Sequence, residues 1–275
     1  LARRAAEESL VLLKNEGALL PLAAGTKVAV IGDFAKNPRY QGAGSSMVNS
    51  TQVDVLLDKL IDSALNVIGY QQGFDRHGKP DAALQKSACE LAAQADTVVL
   101  CMGLDEIAES EGLDRSNLRL AQNQVDLLQA VKAVNPKIVV VLYSGSVVET
   151  PWLDNCQALL YAALGGQAGA GAVADALIGK VNPCGKLAET WPLTYADIPS
   201  AADFATRRKT VEYREGLYIG YRYFTTAEKA VRFPFGYGMS YTTFAYSDLA
   251  ADEQGVSLTV TNTGSVAGTE IVQLY

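Results

Sequence analysis

A single histidine, His77, stands in the whole sequence, and its four cysteines (Cys89, Cys101, Cys156 and Cys184) are irregularly spaced with no CxxC pair. Zinc centres need closely spaced Cys and His ligands, so no metal site is expected. The thiols read instead as small core hydrophobes in a reducing compartment. Positive charge is in deficit too: the net charge is −7, and no basic run is longer than "RRK" at 207–209. That argues against a nucleic-acid partner. No apolar stretch approaches the ~20 residues of a membrane span, because Gly, Asp or Ser breaks every candidate. The opening "LARRAAEESLVLLKNEG" does not read as a signal peptide, since its apolar piece "LVLL" is short and two glutamates precede it. A cytoplasmic location is the expectation. No internal repeat is visible.

What is present is apolar and rhythmic. With 275 residues, 49% of them hydrophobic, the chain can fill one sizeable core, or a large domain with a small companion. "KVAVIGD" (27–33), "LNVIGY" (65–70), "TVVLCMGL" (97–104), "KIVVVLYSGS" (137–146) and "ALLYAALGG" (158–166) are apolar nearly throughout. Such runs suit strands covered on both faces. Helical patterns lie between them. Val53, Leu56, Leu57, Leu60 and Ile61 form one stripe, and "PDAALQKSACELAAQA" opens on Pro80 at a plausible first turn. "NQVDLLQAVKAV" and "GAGAVADALIG" supply two more helices. The alternation predicts an α/β fold, a mostly parallel sheet sandwiched between helices.

After residue 180 the rhythm changes. "NPCGKLAETWPL" and "VEYREGLYIGYRYF" look strand-like and aromatic, and "FPFGYGMSYTTF" (233–244) reads as a loop pinned by rings. "VSLTVTNTGS" then alternates Val256, Leu258 and Val260 with polar residues, as in a half-exposed antiparallel strand, and "GTEIVQLY" reads as the start of another. About 30 residues cannot complete a sandwich. The expected division is therefore an α/β sandwich domain at 1–241 and the truncated start of a β-sandwich at 242–275.

In an open parallel sheet, ligands bind beyond the carboxyl ends of the strands. Two long loops leave that rim. The first, "FAKNPRYQGAGSSMVNS", contains "GAGSS" (42–46), which lacks the spacing and the lysine of a nucleotide loop. Gly44 permits close backbone approach, and the hydroxyls of Ser45 and Ser46 both donate and accept, which suits a sugar as well as a plain flexible connection. The second loop holds "AESEGLDRSN" (108–117), with Glu109 and Glu111 two positions apart and an Asp114–Arg115 pair suggesting an internal ion pair. Most acidic clusters are simply solvated. If this one works, one glutamate is the acid and the other raises its pKa by like-charge repulsion. A second, opposing carboxylate has to come from elsewhere. His77 reads as a surface-loop residue, and Trp152 and Trp191 as core rather than sugar platforms.

Taken together and in this order, "SLVLLKNEGALLPL", "YQGAGSS", "ESEGLDR", "GGQAGAGAVADALIGKVNPCGKLAETWP", "YREGLYIGYRYF" and "FPFGYGMSYTTF" resemble the C-terminal half of glycoside hydrolase family 3. They look most like bacterial β-glucosidases. The resemblance implies an N-terminal TIM barrel, absent from this chain, that carries the nucleophilic aspartate. It implies an α/β sandwich domain carrying the acid/base glutamate, and the beginning of a fibronectin type III-like domain. Glu111, immediately before Gly-x-Asp-Arg, maps to the acid/base, with Glu109 as runner-up. Ser45 first and Ser46 second map to the loop that reaches the sugar. Tyr213, Glu215, Tyr221 and Arg222 match a family signature read as domain packing.

The implied activity is retaining hydrolysis of terminal β-D-glucosyl residues without a cofactor, the substrate a β-linked glucoside or oligosaccharide. The alternatives are a β-xylosidase or arabinofuranosidase of the same family, or a non-catalytic carbohydrate-binding or structural module.

Overall fold

The computed structural model describes residues 1–204 and 209–275, so Arg207 and Arg208 of the short basic run lie outside the described residues. Six strands form the main sheet: β1 (Val11–Asn15), β2 (Lys27–Ile31), β3 (Asn66–Gln71), β4 (Thr97–Gly103), β5 (Ile138–Tyr143) and β6 (Ala158–Tyr161), in the order β1-β6-β5-β4-β2-β3. β2 to β6 are parallel and only β1 is antiparallel. The centre is dry, with every residue of β4 and β5 buried. β3 departs from the two-sided burial expected of it: as an edge strand it is only half-buried along most of its length. Helices flank the sheet. α1 (Ala2–Ser9) and α2 (Leu56–Ile61) pack on α5 (Gly169–Leu177), while α3 (Ala82–Ala92) packs on α4 (Gln122–Val134).

Local chemistry sets the helix limits. α3 starts after Pro80, because Asp81 is its cap and accepts from the N–H groups of Ala83 and Leu84. α2 is shorter than its apolar stripe. Leu56 and Leu60 are buried, Val53 precedes the helix and Ile61 faces solvent.

β1 was hidden in the sequence. "LVLL" is a buried edge strand, and its outer side is closed by loops from far along the chain: Met239 N–H donates to Leu12 O at 2.8 Å and Gly185 N–H to Leu10 O at 3.1 Å. Covering an edge in this way removes a template for mispairing. The cover is held by rings. Fully buried Trp191 meets Tyr161 and Phe233 edge-on at 5.2 and 5.8 Å, and Phe233 stacks on Tyr237 at 5.2 Å. Trp152 is buried as well, so both tryptophans serve the core. All four cysteines are free thiols, Cys101 and Cys156 buried, Cys89 and Cys184 half-buried.

The strand-like reading of 211–224 fails. Gly216 and Gly220 take φ of +55° and +54°, which breaks an extended run, and α6 (Tyr221–Thr226) follows. Its aromatic content mimicked strand propensity. Tyr221 packs on Phe235 and Tyr275, whereas Tyr213 is exposed. "NPCGKLAETWPL" yields only the short β7 (Trp191–Pro192), paired with β8 (Val231–Phe233). β9 (Phe244–Asp252) and β10 (Gly255–Asn262) form an antiparallel hairpin. β10 is the strand expected around Val256, Leu258 and Val260, exposed along nearly its whole length rather than half, and β9 was not foreseen. "GTEIVQLY" is not a strand. It is tied instead by side chains, with Gln273 donating to Gly236 O at 3.1 Å and Glu270 paired to Lys186 at 3.2 Å.

Candidate active site

Both long loops leave the carboxyl ends of parallel strands, β2 and β4, and meet on one rim. Gly32, at φ +110°, turns the chain out of β2, where a Cβ would lie 2.1 Å from Cys101 O. The first loop is then pinned across its width by Gln41, whose amide accepts from Val48 N–H at 2.9 Å and donates to Val48 O at 3.1 Å. The second loop starts where Gln124 of α4 holds both main-chain polar groups of Gly103 at 2.9 Å.

The loops touch directly. Ala43 and Ser110 form an isolated parallel bridge, with Glu111 N–H donating to Ala43 O at 3.1 Å. Ser45 N–H donates to Glu111 Oε2 at 2.6 Å. Gly44, at φ +102°, makes this contact possible, because a Cβ there would lie 2.5 Å from Glu111 Cβ. Glu111, Ser45 and Ser46 are all exposed.

The electrostatics differ from the sequence expectation. Hydrogen bonding from Ser45, through its side chain and its main chain, holds the Glu111 carboxyl below its usual range. Glu109 is not among the groups that shift it. Glu109 turns the other way: it accepts from Ser146 Oγ at 2.6 Å and Gly145 N–H at 2.9 Å, and pairs with Arg39 at 3.4 Å. The neighbouring Asp114 and Arg115 do not form the suggested ion pair. Arg115 donates to Ser146 Oγ at 2.8 Å and Val147 O at 3.1 Å instead.

A second ionic knot braces the rim. Arg76 pairs with Asp33 and with Glu106, donating to Glu106 Oε2 at 3.0 Å from Nε, and lies 4.5 Å over the Phe34 ring. It joins the first loop, the loop after β3 and the second loop. His77, next to it, is exposed and bonded to Asp105 at 2.8 Å, which raises its pKa. Beneath the second loop lies a cleft of about 560 Å³ lined by Arg76, Asp105, Arg115 and Gln124 among others. Among the described residues, no cluster of three His, Cys, Asp or Glu side chains could hold a metal ion.

Sequence reasoning singled out Glu111, Ser45 and Ser46 and missed Arg39, Arg76, Gln41 and Ser146. Isolated charged or amide residues in loops carry no periodic signal, and only the packing of loops against each other reveals them.

Residues 10–241 match the family model described as the glycosyl hydrolase family 3 C-terminal domain. The chain belongs to glycosyl hydrolase family 3. This family 3 chain is 45% identical to thermostable β-glucosidase B of Acetivibrio thermocellus, over 100% of its own length and 38% of that protein. It is 44% identical to exo-α-(1→6)-L-arabinopyranosidase of Bifidobacterium breve, with the same coverage of each. Among solved structures, the family 3 β-glucosidase of Bifidobacterium adolescentis superposes with a TM-score of 0.92 at 46% identity, covering 96% of this chain and 40% of that one. The chain thus spans 38% of the length of these two curated relatives.

Proposed function

We propose that this chain supplies the acid/base carboxyl group and the sugar-holding loop of a retaining β-glycosidase. The observation that carries the reading is the 2.6 Å contact between Ser45 N–H and the exposed Glu111 carboxylate, on a rim where Glu109 is already committed to its own partners. Glu111, protonated, donates to the leaving oxygen and then acts as base on water. An aspartate from a TIM barrel elsewhere in the full protein attacks the anomeric carbon, and retention needs the two carboxyl groups roughly 5–5.5 Å apart. Ser45 and Ser46 hydrogen-bond the terminal sugar.

Without sugar, Glu111 rests ionised against Ser45. A sugar that takes the Ser45 hydrogen bonds and excludes water raises its proton affinity, which readies the acid only when substrate is in place.

The β-glucosidases among the relatives support terminal β-D-glucosyl residues as substrate. The equally similar arabinopyranosidase favours a second reading, a pentopyranoside lacking the hydroxymethyl group of glucose. Residues 1–241 act as the catalytic α/β unit, and the β9–β10 hairpin begins a fibronectin type III-like unit.

The test uses the protein joined to its barrel. Glu111→Gln should lower cellobiose hydrolysis by about 10²- to 10⁴-fold, the usual contribution of a general acid. Nitrophenyl glucoside should suffer less in glycosylation, and azide should restore turnover. Undiminished cellobiose hydrolysis would remove Glu111 from the chemistry. The 275-residue chain alone should not hydrolyse nitrophenyl β-glucoside, since it supplies one of two carboxylates. A panel of nitrophenyl glucoside, xyloside and arabinosides separates the substrate readings.

A further inference from the structure

Both carboxylate oxygens of Glu109 are engaged by donors from its own surroundings. Its Oε1 accepts from Ser146 Oγ and its Oε2 from Gly145 N–H, and the Oε2 edge also faces Arg39 Nη2 at 3.4 Å. The Arg39 side chain is 1% exposed and that of Glu109 9%, and neither Nε nor Nη1 of Arg39 has a hydrogen-bond partner. Glu109 is therefore the carboxylate that neutralises a buried cation. Every group facing it is a donor. Ser146 Oγ accepts from Arg115 Nη1, so its own proton is directed at Glu109.

The topology makes these contacts informative. Arg39 belongs to the loop after β2, Glu109 to the loop after β4, and Gly145 and Ser146 to the loop after β5. One carboxylate thus joins three rim loops. Two residues on, Glu111 N–H donates to Ala43 O and the Glu111 carboxylate accepts from Ser45 N–H.

We propose that Glu109 is the positioning residue of the site, the anchor that sets the Glu111 loop in register with the Ser45 loop and the loop after β5, and that it transfers no proton itself. The inference rests on the reading of Glu111 as acid/base. It also predicts that a glutamine cannot replace this glutamate. An amide would aim an NH₂ group at a set of donors and remove the charge of the carboxylate that pairs with buried Arg39. The geometric consequence falls on the chemistry, because a displacement of about 1 Å at a reacting group costs on the order of 10²-fold in rate.

The experiment compares Glu109→Gln, Glu109→Asp and Glu111→Gln in the full protein with its barrel, measured well below each variant's unfolding temperature. For Glu109→Gln the expected result is a kcat lowered by about ten-fold or more with KM changed much less. The basic limb of the pH profile should survive, and no glucosyl azide should form in azide, because Glu111 is still present. Glu111→Gln should lose that limb and form glucosyl azide. Should Glu109→Gln not fold, Glu109→Asp keeps the charge beside Arg39 but is too short to reach both Gly145 and Ser146. It should show the same fall in kcat. A folded Glu109 variant with wild-type kcat overturns the positioning role and leaves the Glu111 reading intact. Glucosyl azide from Glu109→Gln, with Glu111→Gln unaffected, overturns both.

Discussion

The main-chain N–H of Ser45 donates to Glu111 Oε2 at 2.6 Å, tying the loop after β2 to the loop after β4. The bond favours the ionised carboxylate, whereas a general acid works protonated. The pH dependence should record this. The basic limb of kcat/KM, which reports the free enzyme, should lie at lower pH than the basic limb of kcat, which reports the substrate complex. Initial rates from pH 4 to 9 on cellobiose, with the full protein, check it. Coincident limbs would mean that sugar binding does not release Glu111.

Gly44 is the narrowest point of that contact. Gly44→Ala adds a methyl group 2.5 Å from Glu111 Cβ at a backbone φ of +102°, so the two loops must part. The expected effect is a kcat/KM lowered by about ten-fold or more, with a stability loss of roughly 1–3 kcal/mol from the strained backbone. Kinetics and urea unfolding measure the two separately.

Asp175 gives a stability prediction with a definite sign. Burial pushes its carboxyl up, but hydrogen bonds and charge from Arg3 and Lys180 outweigh it, and the folded value lies below the ordinary one. Its contribution is therefore present above the unfolded pKa of about 3.9 and is lost as pH falls through the folded value. Asp175→Asn should unfold at a lower temperature than the wild type at pH 7. The gap should close as the pH falls below about 4, as followed by calorimetry.

Trp191 holds the cover over β1. Trp191→Ala should cost about 3–5 kcal/mol in denaturant unfolding. Trp191→Phe should cost clearly less, since it keeps a ring between Tyr161 and Phe233 and deletes an indole N–H that has no partner.

The thiols should sort by burial. Cys156 is pushed up to about 12 by burial, and Cys101 is raised further still. Iodoacetamide at pH 8 should label the half-buried Cys89 and Cys184 first in the native protein, read by peptide mass spectrometry. Early labelling of Cys101 would contradict the packing of β4.

Much of the parallel sheet was legible because its signal is local. Val28 to Ile31 and Val98 to Met102 are uninterrupted apolar runs, and both are fully buried. β1 was not legible, because four apolar residues become a strand only when β6 and the loop bearing Met239 close on them. Glu109 shows the same limit at the site. Its spacing from Glu111 suggested mutual repulsion, yet the direction of its side chain is set by Arg39 and Ser146, which are remote in sequence. The aromatic stretch 211–224 misled for a third reason: side-chain preference was read where Gly216 and Gly220 decided the backbone.

The antiparallel pairing of β1 with β6 also orders events on the ribosome. Val11 pairs with Tyr161, so the strand of this sheet that is made first is among the last to find its place. At roughly 5–20 residues per second it waits on the order of ten to thirty seconds for that partner, and longer for Met239. During that interval "LVLL" is an apolar segment with an open hydrogen-bonding edge, the kind of surface that holdase chaperones bind. Nascent-chain crosslinking should therefore find such a chaperone at residues 10–13 and lose it once residue 239 has left the tunnel.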